Sequence, residues 1–184
     1  GEGGDVMTMT DGALWDAGAG DITLTANGTI TLGGLLTTSA TDTAIQVTSA
    51  SGAIVDGGDV HLEADVANGR LVMGAATGMG VAPSLGADEA LEVDAGSVDA
   101  SVTGTGDIAL DELDAVTLFD VDTADGSITV DAGGQLIATA VDALGPTVTA
   151  NVTLSTTGGI VATSVNAGDA LSLTADAGDV TLGA

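Results

Sequence analysis

The stretch that decides the fold is residues 20–32, GDITLTANGTITL, which states one short phrase twice in succession. The phrase is a glycine, a polar residue, and then aliphatic residues at alternate positions. Alternation of period two puts Ile22 and Leu24 on one face of a strand, and Thr23 and Thr25 on the other. A short unit that repeats along a chain is the sequence signature of a solenoid.

Copies of this phrase occur along the whole chain. The spacing between glycines is 20 residues from Gly106 to Gly126, and again from Gly158 to Gly178. We therefore predict an all-β fold, a parallel β-solenoid with about 20 residues per coil, which gives about nine coils and a rod of roughly 40–45 Å. Short strands with turn signals about every ten residues also fit an antiparallel β-sandwich, which is the alternative fold. The further copies start at Gly58, Gly106, Gly126 and Gly178, with looser copies at Gly4 and Gly168.

The pattern indicates one continuous domain over residues 1–184. Because the sequence begins and ends within the motif, we expect a segment of a longer repeat array. Residues 74–88 break the alternation and contain Pro83, so we predict a loop extruded from a coil. The inward pairs are predicted to include Val60 with Leu62 and Val180 with Leu182. The Gly-Gly, Asn-Gly, Asp-Gly and Gly-Asp steps are predicted to supply corners with positive φ.

Charge excludes several classes of partner. The chain has 27 acidic residues, a single Arg (Arg70) and no Lys, for a formal net charge of -26. Such a field repels nucleic acid and anionic membranes, so we expect no nucleic-acid partner. No apolar run approaches the length of a membrane span, so we expect no membrane insertion. The absence of Cys excludes disulfides and thiolate metal sites.

Catalytic residues are not apparent in the sequence. Enzymes built on a β-helix need clustered carboxylates, usually with Arg, Lys or aromatic side chains on one exposed face. This chain has one Arg, no Tyr and a lone Trp, and His61 lies between two aliphatic residues, which predicts an outward, exposed side chain on a strand. We expect no enzyme activity and keep a carbohydrate-active β-helix enzyme as the alternative. An exposed groove with converging acids, such as Asp111 and Asp114, would favour that alternative.

Calcium is the one cofactor that the sequence suggests. The Asp of each Gly-Asp step lies at a corner, where its side chain can accept hydrogen bonds from turn amides; stacking of these acids between coils would instead call for a cation. Residues 120–126 are similar to an EF-hand loop, but the third acid and the Gly come one position late, and Asp131 replaces the final Glu. The candidate metal ligands are Asp120, Asp122 and Asp125.

The phrase over residues 20–32 resembles the repeats of filamentous-haemagglutinin-type adhesins and of giant bacterial surface proteins with β-strand repeats. The resemblance covers most of the chain through the variants of this phrase. It implies a right-handed parallel β-helix, export across an outer membrane, and a role at the cell surface or in a filament. It carries over no catalytic residues, and the N-terminal secretion domain of such proteins is not recognisable in this sequence.

The sequence thus predicts an extracellular structural or adhesive rod segment of a bacterial surface protein. Its expected partners are copies of itself stacked end to end, or adjacent repeats of the same chain, and a surface or host ligand. The alternative is a self-assembling, cation-stabilised filament or sheath subunit.

Overall fold

The computed structural model describes residues 5–80, 90–146 and 149–183, which form strands and turns without a helix. Accordingly, this part of the chain holds no helix of the length and hydropathy that a membrane crossing requires. The strands are β1 (Met7–Thr8), β2 (Leu14–Asp16), β3 (Ile22–Ala26), β4 (Ile30–Leu32), β5 (Gly34–Leu36), β6 (Ile45–Ser49), β7 (Ile54–Asp56), β8 (Ala64–Ala75), β9 (Leu91–Thr105), β10 (Ile108–Glu112), β11 (Val116–Asp125), β12 (Ile128–Ala132), β13 (Leu136–Ala138), β14 (Val141–Ala143), β15 (Val152–Thr156), β16 (Ile160–Ala162), β17 (Val165–Ala167), β18 (Leu171–Ala175) and β19 (Val180–Leu182).

The strands stack in parallel, each on a strand of the next coil. The phrase at β3 pairs with β6, the phrase at β4 pairs with β7, and the same rule continues to β19. Every strand pairing among the described residues is parallel. The prediction of a parallel β-solenoid is confirmed, and the antiparallel sandwich is wrong.

The coils are fewer and longer than the sequence predicts. There are about 7 turns with a spacing of about 23 residues, where we predicted about nine coils of about 20. Ile108 does pair with Ile128, as the glycine spacing predicts, but Ile45 pairs with Leu71 and Leu71 with Val98. The difference arises at corners that vary in length and at register shifts within the long strands, between Val66 and Arg70 in β8 and at two points in β11. At about 4.8 Å per coil the stack is roughly 34 Å long.

One aliphatic core runs through the stacked coils. Inward positions of successive strands place Ile, Leu, Val and Ala directly over one another, and nearly all of them are fully buried. The only two aromatic residues, Trp15 and Phe119, lie at the surface with 50% and 44% exposure. The aliphatic side chains fill the narrow interior of a coil without aromatic rings. Each fully buried Leu or Ile contributes about 1.5–3 kcal/mol to the stability of the fold.

Two of the predicted inward pairs are not buried. Val60 is 59% exposed and lies in a turn between β7 and β8, so the copy of the phrase at Gly58 forms no strand. Val180 and Leu182 do form β19, but they are 43% and 69% exposed because no further described coil covers them. The local phrase therefore does not decide burial, which depends on whether a neighbouring coil lies against the segment.

The glycines of the phrase serve close approach between coils more than backbone conformation. A Cβ on Gly126 would lie 2.1 Å from the carbonyl oxygen of Gly106 in the neighbouring coil. Among the described glycines that open the phrase, only Gly58 has a positive φ, at 126°. The prediction of positive-φ corners is thus wrong for most copies of the phrase, although it is confirmed at the Asp11-Gly12 step, where Gly12 has a φ of 77°. At corners such as that of Gly126 the coils stack so tightly that a side chain does not fit.

The predicted loop over residues 74–88 falls partly outside the described residues, which resume at residue 90. Gly74 and Ala75 end β8, and Met79 is buried and forms parallel bridges with Ile54 and Ile108. Residues 74–80 therefore belong to the coil, and the remainder of the predicted loop lies beyond the described part.

Candidate cation centre

Parallel register places acidic side chains of neighbouring coils over one another. Glu92 pairs with Asp111, and Asp111 in turn pairs with Asp131, while Asp65 pairs with Asp94. Neighbouring strands lie about 4.8 Å apart, and two carboxylates at that distance repel by about 1 kcal/mol even in water. The stacked acids come from strand positions; they are not the aspartates of the Gly-Asp corners.

The corner aspartates instead accept hydrogen bonds from neighbouring coils. Asp107 accepts from the backbone N–H of Ser127 at 2.7 Å. Asp21 accepts from the hydroxyl groups of Ser39 and Thr41, at 2.5 Å and 2.9 Å, and these bonds lower its pKa. The prediction that a corner aspartate accepts from a backbone amide is confirmed at Asp107, whereas Asp21 accepts from hydroxyl groups instead.

Three carboxylates converge at the corner between β7 and β8. Asp56 ends β7, Glu63 directly precedes β8, and Glu92 is the second residue of β9. One oxygen of each lies within 4.8 Å of the other two. Stacking brings the glutamates together, because the backbone N–H of Glu63 donates to the carbonyl of Glu92 at 2.9 Å. We call Asp56, Glu63 and Glu92 the carboxylate cluster.

Glu63 is the most confined member of the carboxylate cluster. Glu63 is 1% exposed, and its Oε2 accepts a hydrogen bond from the backbone N–H of Glu92 at 2.7 Å. Its Oε1 is buried and receives no hydrogen bond from the described residues. Burial, and then the adjacent carboxyl group of Glu92, raise the pKa of Glu63 to about 9. An ionised Glu63 therefore needs a positive charge beside it.

A groove of about 540 Å³ opens beside the carboxylate cluster. His61 lines it from the turn between β7 and β8 and is partly buried, so the prediction of an exposed His on a strand is wrong. The same turn, which the phrase at Gly58 predicts to be a strand, forms one wall of the groove. The lining residues are Leu14, Leu36, Asp59, Val60, His61, Leu62, Asp65 and Glu92.

A second group of three acids lies at the next coil. Asp94, Glu112 and Asp114 also have oxygens within 4.8 Å of one another. Glu112 is 2% exposed, and both of its oxygens lie 3.2 Å from the backbone nitrogen of Ala95, which donates to them. Burial raises the pKa of Glu112 to about 8, and burial followed by Asp114 and Asp65 raises the pKa of Asp94. Both oxygens of the buried glutamate in this group, unlike Glu63 Oε1, accept a hydrogen bond, which they share from the Ala95 N–H.

The candidate ligands from the sequence lie on one strand, β11, but do not share a face. Asp120 and Asp122 face outward, whereas Asp125 is 8% exposed and faces inward. Asp122 accepts from the Ser101 hydroxyl at 3.0 Å, and Asp125 from the Thr105 hydroxyl at 3.3 Å. Metal binding at Asp120, Asp122 and Asp125 stays a prediction, and neither convergent group of acids includes them.

Sequence reasoning missed the carboxylate cluster for a physical reason. Glu63 and Glu92 are 29 residues apart, a separation that the 20-residue spacing does not predict. Only Glu112 carries a local signal, because it continues the inward positions of Ile108 and Leu110. An acidic residue at an inward position of the alternation predicts a buried carboxylate from the sequence alone.

Comparisons with protein-family models, with curated proteins and with solved structures find no match to this chain. The resemblance to filamentous-haemagglutinin-type repeats therefore rests on the repeated phrase and the parallel β-solenoid architecture that it predicts.

Proposed function

We propose that this chain is a structural or adhesive rod segment of a bacterial surface protein that acts outside the cell. The observation that supports it is the single aliphatic core running through about 7 parallel coils. Each coil contacts only its neighbours, so such an architecture extends by adding coils and suits a spacer that holds a binding region away from a surface. The resemblance of the repeated phrase to surface-protein repeats supports the location.

The coil at the C-terminal side presents strands suited to further stacking. Within the described residues, β17, β18 and β19 are each paired along one edge only. Leu171, Val180 and Leu182 on these strands are 43–69% exposed. Unpaired strand edges with exposed apolar side chains recruit another strand. The proposed partner of this face is a coil of the same solenoid type.

The exterior suits a rod that must persist outside the cell. Outward positions carry mainly Thr, Ser and Asp, and the net charge of -26 keeps the surface hydrated. Arg70, the single residue that a trypsin-like protease would cleave after, lies within β8 and pairs with Ser97 of β9. Folded coils thus offer such a protease no exposed, unpaired cleavage site after a basic residue.

A cation-stabilised filament or sheath subunit is the second candidate. The carboxylate cluster and the stacked acids favour it, because both need positive charge that the chain itself barely supplies. The two candidates differ in assembly: a filament subunit elongates into polymers when a divalent cation is added, and a rod segment does not.

Among the described residues, the groove beside the carboxylate cluster is the feature that most favours an enzyme. Glycosidases hold two carboxyl groups about 5–9.5 Å apart on either side of an accessible bond. In the carboxylate cluster Glu63 is 1% exposed, so its carboxyl group is out of reach of a polymer in the groove. We therefore propose no turnover of polysaccharide, ester or peptide substrates.

Immunolabelling of intact cells of the source organism with antibodies against this segment tests the proposed location. Deletion of the gene should change attachment, aggregation or surface filaments. Labelling that appears only after the cells are opened would contradict the proposal. So would cleavage of a glycan by the purified chain that the Glu92→Gln substitution abolishes.

A further inference from the structure

We propose that Asp56, Glu63 and Glu92 bind one Ca²⁺ ion, which fastens the corner between β7 and β8 to β9. This site is separate from Asp120, Asp122 and Asp125, and it goes beyond the proposed role as a rod segment, since a rod requires no particular ion at this corner.

The geometry of the carboxylate cluster fits calcium. Ca²⁺ binds six to eight oxygen ligands at about 2.3–2.6 Å, so any two ligands of one ion lie no more than about 5 Å apart. The oxygens of Asp56, Glu63 and Glu92 satisfy this limit, lying within 4.8 Å of one another. Mg²⁺ prefers shorter bonds of about 2.0–2.1 Å and retains most of its water, so a cluster of three carboxylates suits Ca²⁺ better.

An independent observation points to a ligand here. Glu63 Oε1 is a buried oxygen of a residue that is 1% exposed, and no described group donates to it. Buried polar oxygens without a partner are rare in folded proteins, and each calls for a water, an ion or a special role. A carboxylate oxygen beside two further acids selects a cation over a neutral donor.

No Lys or Arg supplies a positive charge to this corner. The chain has no Lys, and its single Arg, Arg70, is engaged elsewhere. The guanidinium of Arg70 lies 3.9 Å from the ring centre of Phe119 and 3.8 Å from a carboxylate oxygen of Asp42. His61 lines the adjacent groove but donates no hydrogen bond to Glu63 Oε1. The positive charge beside Glu63 Oε1 therefore comes from solution, either as a metal ion or as a proton shared between Glu63 and Glu92.

The backbone holds the first of the three ligands in place. Asp56 pairs with Leu32 in the preceding coil, and a Cβ on the following Gly57 would lie 2.0 Å from the Leu32 carbonyl oxygen. One oxygen of Asp56 accepts the backbone N–H of Gly58 at 2.6 Å, which orients the carboxylate. A cation here joins this fixed corner to Glu63 and Glu92 and so steadies the turn that walls the groove.

Calcium titration of the full 184-residue chain, freed of metal with chelator and held in 150 mM NaCl, tests the proposal. We expect isothermal titration calorimetry to show one saturable Ca²⁺ site per chain, and the melting temperature to rise as it fills. Glu63→Gln should weaken binding at least tenfold, because an amide oxygen replaces a charged ligand. The Gln side chain can still accept the Glu92 N–H, and circular dichroism checks that the variant folds.

Two variants serve as matched controls. Asp131→Asn removes one charge from the stacked acids but lies outside the carboxylate cluster, and Glu112→Gln changes the other buried glutamate. Both should bind Ca²⁺ as the unchanged chain does. Loss of binding in Glu112→Gln with retention in Glu63→Gln would move the ion to the second group and overturn the proposal.

A shared proton is the competing explanation, and the same experiment separates it from a metal. If a proton alone compensates Glu63, Ca²⁺ leaves the melting temperature of the unchanged chain where it is. Glu63→Gln, which mimics the protonated acid, then melts no lower than the unchanged chain in chelator. That pair of results, or equal Ca²⁺ affinity in Glu63→Gln and the unchanged chain, would overturn the proposal.

Discussion

Glu112 is an acidic residue at an inward position of a coil, where the pattern of β10 otherwise places aliphatic side chains. It follows Ile108 and Leu110 in the alternation and is 2% exposed. Both oxygens lie within hydrogen-bond distance of the Ala95 N–H, so the acid fastens one coil to the next. Burial raises its pKa to about 8 from an ordinary value of 4.5. Folding therefore takes up a proton in the pH range between these two values.

The contribution of Glu112 to the stability of the fold decreases as the pH rises. Below pH 4.5 Glu112 is protonated whether folded or unfolded, and its contribution to stability is fully present. As the pH rises towards 8, the unfolded chain loses this proton while the folded chain keeps it, so the contribution declines and is lost above the folded pKa. We predict that the melting temperature in chelator falls from pH 5 to pH 9.

The Glu112→Gln substitution measures how much Glu112 contributes to the pH dependence of the stability. The amide still accepts the Ala95 N–H and carries no charge, so the variant should be more stable than the unchanged chain at pH 9, by about 1–3 kcal/mol. At pH 5 the two should differ little. Since the pKa of Glu63 is raised too, the slope should flatten in the variant without vanishing. Identical slopes in thermal melts of the two proteins would show that Glu112 is ionised in the folded state.

Gly126 explains why a glycine opens the repeated phrase. A Cβ at this position would lie 2.1 Å from the Gly106 carbonyl oxygen and 2.6 Å from its carbon, so the stacked corners would have to separate. We predict that Gly126→Ala costs about 3 kcal/mol in the free energy of unfolding, measured by denaturant titration.

Gly74→Ala is the matched control for this prediction. The nearest atom to a Cβ there is Thr48 Cγ2 at 4.0 Å, an ordinary contact, and Gly74 is not among the glycines with positive φ. Alanine in a strand avoids the entropic penalty of glycine, so this variant should gain about 0.5–1 kcal/mol. Equal destabilisation of both variants would mean that glycine is needed for a reason other than close approach.

At the scale of elements, inward hydroxyl groups join the end of a strand to the preceding coil. They lie where the aliphatic alternation reaches a corner, and each donates to a glycine carbonyl one turn earlier. These donor and acceptor pairs are Thr37 to Gly20, Ser49 to Gly28, Thr123 to Gly106, and Thr156 to Gly134. The hydroxyl group at the corner thus satisfies a carbonyl that the strand ladders do not reach.

Ser49 provides the test of this corner bond. Its hydroxyl donates to the Gly28 carbonyl at 2.8 Å and accepts the Gly52 N–H at 3.1 Å, and the residue is 2% exposed. Ser49→Ala should lower the unfolding free energy by about 2–3 kcal/mol, because a buried donor and a buried acceptor lose a partner. Ser51→Ala, two positions later, removes an exposed bond to Asn27 and should cost under about 1 kcal/mol. Equal losses would show that burial does not decide the strength of these bonds.

The strands predicted from the sequence are correct where a copy of the phrase stacks on a neighbouring coil, and wrong where it does not. Ile22 with Leu24 and Ile128 with Val130 are buried as their alternation predicts. Val60 obeys the same local pattern yet lies exposed in a turn, because stacking of distant segments decides which copies enter a coil.

The carboxylate cluster was beyond sequence reasoning for the same physical reason. Its members come from the end of β7, the residue before β8 and the start of β9, and its two glutamates meet across a separation of 29 residues. A 20-residue repeat cannot predict contacts between coils whose spacing departs from it.

At the scale of the whole molecule, charge opposes the fold that the aliphatic core supports. The net charge is -26, and the single Arg balances few of the acids. Stacking adds to the repulsion, since Asp122 pairs with Asp142 and Asp99 with Asp120 in neighbouring coils. Unfolding separates these charges, so repulsion lowers the stability of the compact state.

Screening by salt should therefore stabilise the chain even when calcium is absent. The Debye length falls from about 30 Å at 10 mM to about 8 Å at 150 mM salt, so most long-range repulsion between acids is removed over this range. We predict that the melting temperature in chelator rises by roughly 5 °C or more between 10 and 150 mM NaCl, and less steeply from there to 1 M.

Glu63→Gln should show nearly the same rise, because screening acts on all the acids and a single bound ion acts on one corner. Sucrose, which favours compact states without screening charge, separates the two effects. A melting temperature that is flat up to 150 mM NaCl and rises only at molar salt would show that repulsion among the acids does not limit the stability of this fold.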